Sequence, residues 1–75
     1  MNAASLDRSR RLQRALSALR RHRKGLTTMQ MIKVAGVCAV NSVVAELRAN
    51  GQAIACRAER ARGGGRVYRY VLQAA

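Results

Sequence analysis

The sequence predicts an α+β domain, three helices followed by a two-stranded β-hairpin. Three observations carry this expectation. Apolar residues recur at helical spacing in three successive stretches before Gly51. After Gly51 the apolar period falls to two, in "AIACRAER" and again in "RVYRYVL". The triplet Gly63-Gly64-Gly65 separates those two alternating runs, where a turn belongs. The 75 residues make one domain, expected over 1–75. A chain of this size buries only about 60% of its unfolded surface, so its margin of stability is thin. With two tyrosines and no phenylalanine or tryptophan, its core is built from Leu, Val, Ile, Met and Ala.

The first helix is expected over about 5–24. Leu12, Ala15, Leu16 and Leu19 lie on one face. Ser5 is the expected N-cap, with Asp7 in the first turn and cations, Arg20 to Lys24, in the last. Gly25 is the expected left-handed C-cap. Arg10, Arg14 and Arg21 form a stripe opposite the leucines and read as a solvated face. The second helix, 28–35, starts with a T-x-x-Q capping box, Thr27 with Gln30, and a hydrophobic staple of Leu26 with Met31. Met29 and Ile32 are expected inward, and the helix stops at Gly36. The third helix, 39–50, buries Val40, Val43, Val44 and Leu47 and ends at Asn50-Gly51. Its opposite face carries Cys38, Asn41, Ser42, Ala45 and Ala49, with Arg48 at the margin.

Two strands are expected over 53–60 and 66–72. Ile54, Cys56 and Ala58 share one face of the first; Tyr68, Tyr70 and Leu72 share one face of the second. Both tyrosines are expected to face the core. The "GVC" link between helices two and three has the length of a helix-turn-helix turn. A helix-turn-helix followed by a hairpin is the winged-helix arrangement.

The stretch from Leu26 to Leu72 resembles the small winged helix-turn-helix proteins of bacteriophages and prophages. The resemblance rests on the "LT" helix start, Glu46-Leu47-Arg48 with Gly51, the apolar pair Ile54 and Cys56, and Arg66-Val67 with Tyr70 and Leu72. It implies a small DNA-binding regulator in the cytoplasm of a bacterial host cell. This third helix presents few long side chains, which departs from a strongly base-reading helix.

Charge points the same way. Fifteen Lys and Arg face three acids, for a net charge of +12, and thirteen of the fifteen cations are arginine. The usual partner of such a field is nucleic acid, and the guanidinium fork suits phosphate and guanine. In the expected interface Asn41 makes a bidentate contact to adenine, and Arg48 reaches guanine or a phosphate. Ser42 bonds a phosphate, and Ala45 permits close approach or touches a thymine methyl. Thr28 contacts a phosphate at the start of the second helix. Arg60, Arg62 and Arg66 track the backbone from the hairpin tip, or send one side chain into a narrow minor groove.

Other classes find less support. "RGGGR" lacks the Lys-Ser/Thr of a Walker loop and leads into a strand. One histidine, two separated cysteines and three scattered carboxylates assemble neither a zinc site nor a catalytic set, so no cofactor and no catalysis are expected. Cys38 and Cys56 are expected as reduced thiols, with a disulfide between them as the alternative. No secretory signal is expected, because charges begin at Asp7. The basic N-terminal helix has the composition of a transit peptide or a membrane-surface helix, but its apolar face is needed for the core. The alternative reading is a winged-helix module that binds a host or phage protein. A homodimer fits palindrome reading, although no dimer face is legible.

Overall fold

The computed structural model describes residues 5–73. The elements run α1 (Arg10–Arg21), β1 (Leu26–Thr27), α2 (Thr28–Ala35), α3 (Val40–Ala49), β2 (Ile54–Arg60) and β3 (Arg66–Leu72). The expected α+β class is present, with three helices and a hairpin. The sheet, however, has three strands and not two, in the order β1-β3-β2 with both pairings antiparallel. The added strand is only two residues, Leu26 opposite Tyr70 and Thr27 opposite Arg69. Two residues are too few to show an alternation. A close approach at Gly25 makes the pairing possible: φ there is +99°, and a Cβ would lie 2.7 Å from Val71 Cγ2 and 2.8 Å from the Tyr70 carbonyl oxygen.

The first helix is shorter than its expected 5–24 span. Ser9, not Ser5, is the cap, accepting from the Leu12 N–H. The Ser5 hydroxyl donates to the Asp7 carboxylate instead, and the Arg8 N–H closes a turn on the Ser5 carbonyl. Asp7 therefore precedes the helix. At the other end His22 is the C-cap, its N–H donating to Ala18 at 3.0 Å. Gly25 is freed to meet β3.

The second helix spans its expected residues, and its capping box is complete. Thr27 Oγ1 accepts from the Gln30 N–H, and Gln30 Oε1 from the Thr27 N–H. Leu26 and Met31 both enter the core, as a staple requires. Met29 and Ile32, expected inward, instead face outward at 63% and 37% exposure. Met31 and Ala35 are the buried pair, one i, i+4 step apart. In a helix this short, rich in apolar residues all round, periodicity alone does not choose the face. After the left-handed Gly36 the chain turns by 82° into α3, with Val37 buried in the link. α3 buries Val40, Val43, Val44 and Leu47 as expected.

Among the described residues one cluster, from Leu12 to Tyr70, forms the core, and no charged side chain is buried in it. Two tethers hold the C-terminal end of α3. The Asn50 side chain donates to the Glu46 carbonyl at 2.8 Å and accepts from the Leu6 N–H at 3.0 Å. Arg48 donates through Nε and Nη2 to the Ile54 carbonyl at 3.1 and 2.7 Å, which fixes the start of β2.

The hairpin register runs from Ile54 opposite Leu72 to Arg60 opposite Arg66. It places arginine against arginine twice, at Arg57–Arg69 and Arg60–Arg66. Only its base is buried, through Ile54 and Tyr70; the outer half, from Glu59 to Arg66, stays outside the core.

Candidate nucleic-acid interface

α3 buries its valines because they share one face, and this leaves Asn41, Ser42 and Ala45 exposed on the other. Asn41 is the second residue of the helix, so it stands at the N-terminal end. Its amide is held: the hydroxyl of the buried Tyr70 donates to Asn41 Oδ1 at 2.8 Å. Both Nδ2 hydrogens and a second lone pair on Oδ1 remain for a ligand, which is what a bidentate adenine contact uses. The same bond shows that the Tyr70 face of the hairpin looks toward α3. Arg48, at the far end of the helix, spends two of its donors on Ile54, and those on Nη1 remain.

Beside α3 the hairpin extends to a five-residue loop from Ala61 to Gly65. The Ala61 N–H donates to Gly65 at 3.0 Å and the Gly64 N–H to Ala61 at 3.1 Å. Gly63, Gly64 and Gly65 have φ of +86°, +103° and +82°. Three successive residues with positive φ are tolerable only for glycine. No other atom crowds the positions their Cβ atoms would take, so the demand is conformational and not steric. This turn brings Arg60 and Arg66 face to face, with Arg62 in the loop, all three exposed. A shallow depression at the tip is lined by Ala58, Glu59, Arg60, Gly64, Gly65 and Arg66. Thr28 sits apart from this tip, half-buried where β1 meets α2 on the other side of β3.

Tyr68 departs from expectation. It lies on the same sheet face as Tyr70 but is 46% exposed. The hairpin runs past the helices, so an inward-facing position near its tip has nothing to cover it. Cys56, level with the buried Tyr70 but on the edge strand β2, is exposed as well, and both cysteines carry free thiols. The region between α3 and the hairpin therefore holds an exposed aromatic ring that alternation alone assigns to the core. Only the distance from the last core residue, Tyr70, distinguishes its surroundings.

The charge is weakly balanced. Arg11 pairs with Glu46 at 2.5 Å, and Arg69 Nε pairs with Glu59 at 2.8 Å while its Nη1 donates to the Gly25 carbonyl at 3.2 Å. The hydrogen bond from Arg69 holds the Glu59 carboxyl below the ordinary glutamate range; partial desolvation opposes it, and the charges of Arg69 and Arg57 add to it. Among the described residues, Arg60, Arg62 and Arg66 make no ion pair with a carboxylate. No group of three or more His, Cys, Asp or Glu side chains comes together among them, and no single helix is long and apolar enough to cross a membrane. Comparison of the chain with family models, with curated proteins and with solved structures finds no match.

Proposed function

We propose that this protein is a winged helix-turn-helix domain that binds double-stranded DNA non-covalently. Its proposed role is a small regulator of the phage or prophage type, acting in the cytoplasm of a bacterial host. α3 lies in the major groove and the β2–β3 wing follows the neighbouring backbone. The reading rests on one observation above all. A helix with a small polar face is bonded through Asn41 and Tyr70 to a hairpin whose free tip carries Arg60, Arg62 and Arg66. The helix face supplies close approach and one oriented amide; the tip supplies sequence-independent attraction to phosphate. Ser42 and Ala45 fit beside Asn41, Arg48 contributes its remaining donors, and Thr28 is an outlying phosphate contact. No cofactor and no catalysis are part of this reading.

Titration of a labelled duplex at several salt concentrations tests it. If roughly five phosphates are neutralised, log K falls against log salt with a slope near −4 to −5. Replacing Arg62 and Arg66 with alanine weakens binding to all sequences alike and makes the slope shallower by about 2. Asn41→Ala relaxes sequence preference. Absence of binding to any duplex at low salt overturns the proposal.

A second reading, a protein-interaction module, draws on the exposed Met29, Ile32 and Val34 of α2. It expects these three residues, and not the wing arginines, to control capture of a partner that persists after nuclease treatment.

A further inference from the structure

Eight of the fifteen cations fall between Arg8 and Lys24, in and around α1. α1 and α3 bury their apolar faces in one core, and no residue of the α1 stripe is among those assigned to the duplex interface. The proposed duplex interface leaves most of the positive charge unused.

Part of it is arranged. Arg10, Arg14, Ser17 and Arg21 lie along one line of α1, since a turn takes about 3.6 residues, and Arg10 and Arg21 are about 16 Å apart along the axis. With Gln13 and, from α2, Val34, they line an open groove of about 510 Å³. Arg14 is anchored, its Nε donating to the Ala35 carbonyl at 3.1 Å. Among the described residues no carboxylate pairs with this stripe: Asp7 accepts from Ser5, Glu46 pairs with Arg11 and Glu59 with Arg69. Arg10 and Arg14 are one i, i+4 step apart, where like charges repel. The groove therefore offers hydrogen-bond donors at intervals, under unrelieved positive charge.

We infer that this α1 groove is a second polyanion site that takes the phosphate backbone of another DNA duplex, so that one molecule bridges two. The inference rests on the duplex-binding reading of α3 and the wing. A 16 Å line of arginines spans roughly five phosphates of one strand along the duplex axis. An acidic peptide is the poorer fit. Peptide docking on a helix face draws on several apolar anchors, and among the described residues Val34 is the only apolar side chain lining the groove.

The test is a sandwich capture. A duplex is fixed to beads, the full-length protein is added, and retention of a second labelled duplex is measured beside the affinity for a single duplex in solution. Arg10 and Arg21 are exposed and make no side-chain hydrogen bond among the described residues, so the R10A/R21A variant keeps its fold, which circular dichroism checks. Wild type retains the second duplex. R10A/R21A retains about tenfold less while its single-duplex affinity changes by no more than about threefold. Retention unchanged in R10A/R21A overturns the inference, and is the result expected if two joined copies do the bridging. Single-duplex binding without retention of a second duplex also overturns it, as does capture of polyglutamate in preference to the second duplex. Failure of wild type to bind any duplex marks the failure of the duplex reading itself, which the solution titration reports separately.

Discussion

Replacing Gly25 with alanine tests the account of β1 most directly. Two effects add. The backbone at Gly25 has φ of +99°, where a side chain costs roughly 1–2 kcal/mol. The new methyl would also stand 2.7–2.9 Å from Val71 Cγ2, the Tyr70 carbonyl oxygen and Arg69 Cγ. The carbonyl oxygen belongs to the paired β3 backbone and cannot swing aside, so overpacking adds about 1–3 kcal/mol. The stiffer unfolded chain returns about 0.4–1 kcal/mol. The sum is a loss of about 1–5 kcal/mol, centred near about 3, a large part of the stability of a domain this small. At about 4–8 °C per kcal/mol for this chain length, the central value lowers Tm by about 12–24 °C. Gly36→Ala is the control: φ there is +67° with nothing within 4 Å of the added Cβ, so only the conformational part applies. Thermal and urea unfolding followed by circular dichroism measure both variants. Equal losses in the two variants would refute the close approach at β3, and with it the third strand as a stabilising pairing.

Three further outcomes are expected. Tyr70→Phe removes the hydroxyl bond to Asn41 and costs about 1 kcal/mol in urea unfolding, because the exposed amide regains water; under the duplex reading it also weakens sequence preference as Asn41 loses its orientation. Met31→Ala destabilises by about 2–5 kcal/mol, whereas Met29→Ala stays within about 0.5 kcal/mol, which checks the face that α2 buries. The lowered Glu59 value means a stabilising contribution that is full above the ordinary glutamate range and is lost as pH falls through that range to the folded value; NMR titration of Glu59 in wild type and Arg69→Ala shows the carboxyl moving up in the variant.

The helices and the hairpin were legible because each has a period and a stop. Thr27 with Gln30 marked the start of α2, and the glycine triplet marked the turn. β1 was hidden because two residues carry no period and because its cause lies in β3, more than forty residues later. The inward face of α2 was hidden because the helix is apolar on several sides; contact with α1 and the sheet, not periodicity, selects Met31 and Ala35. Ser9 displaced Ser5 because both can cap and the chain before Arg10 folds into a turn. The candidate interface was legible as residue types on a helix face and a hairpin tip. The Tyr70–Asn41 bond and the Arg48–Ile54 bond were not, since each joins segments whose spacing depends on the completed fold.

The arginine pairs across the hairpin have a consequence for how the wing responds to its medium. Like charges placed directly opposite one another weaken a two-stranded ribbon, and within the ribbon Arg57–Arg69 is offset only by the carboxylate of Glu59 and Arg60–Arg66 by none. Mobile ions screen such repulsion, over about 8 Å at physiological ionic strength. The wing is thus loosest in dilute buffer and tightens as salt is added, the reverse of the trend for any polyanion held at its tip. Amide exchange along β2 and β3 slows over the same rise in salt that drives a charged ligand away.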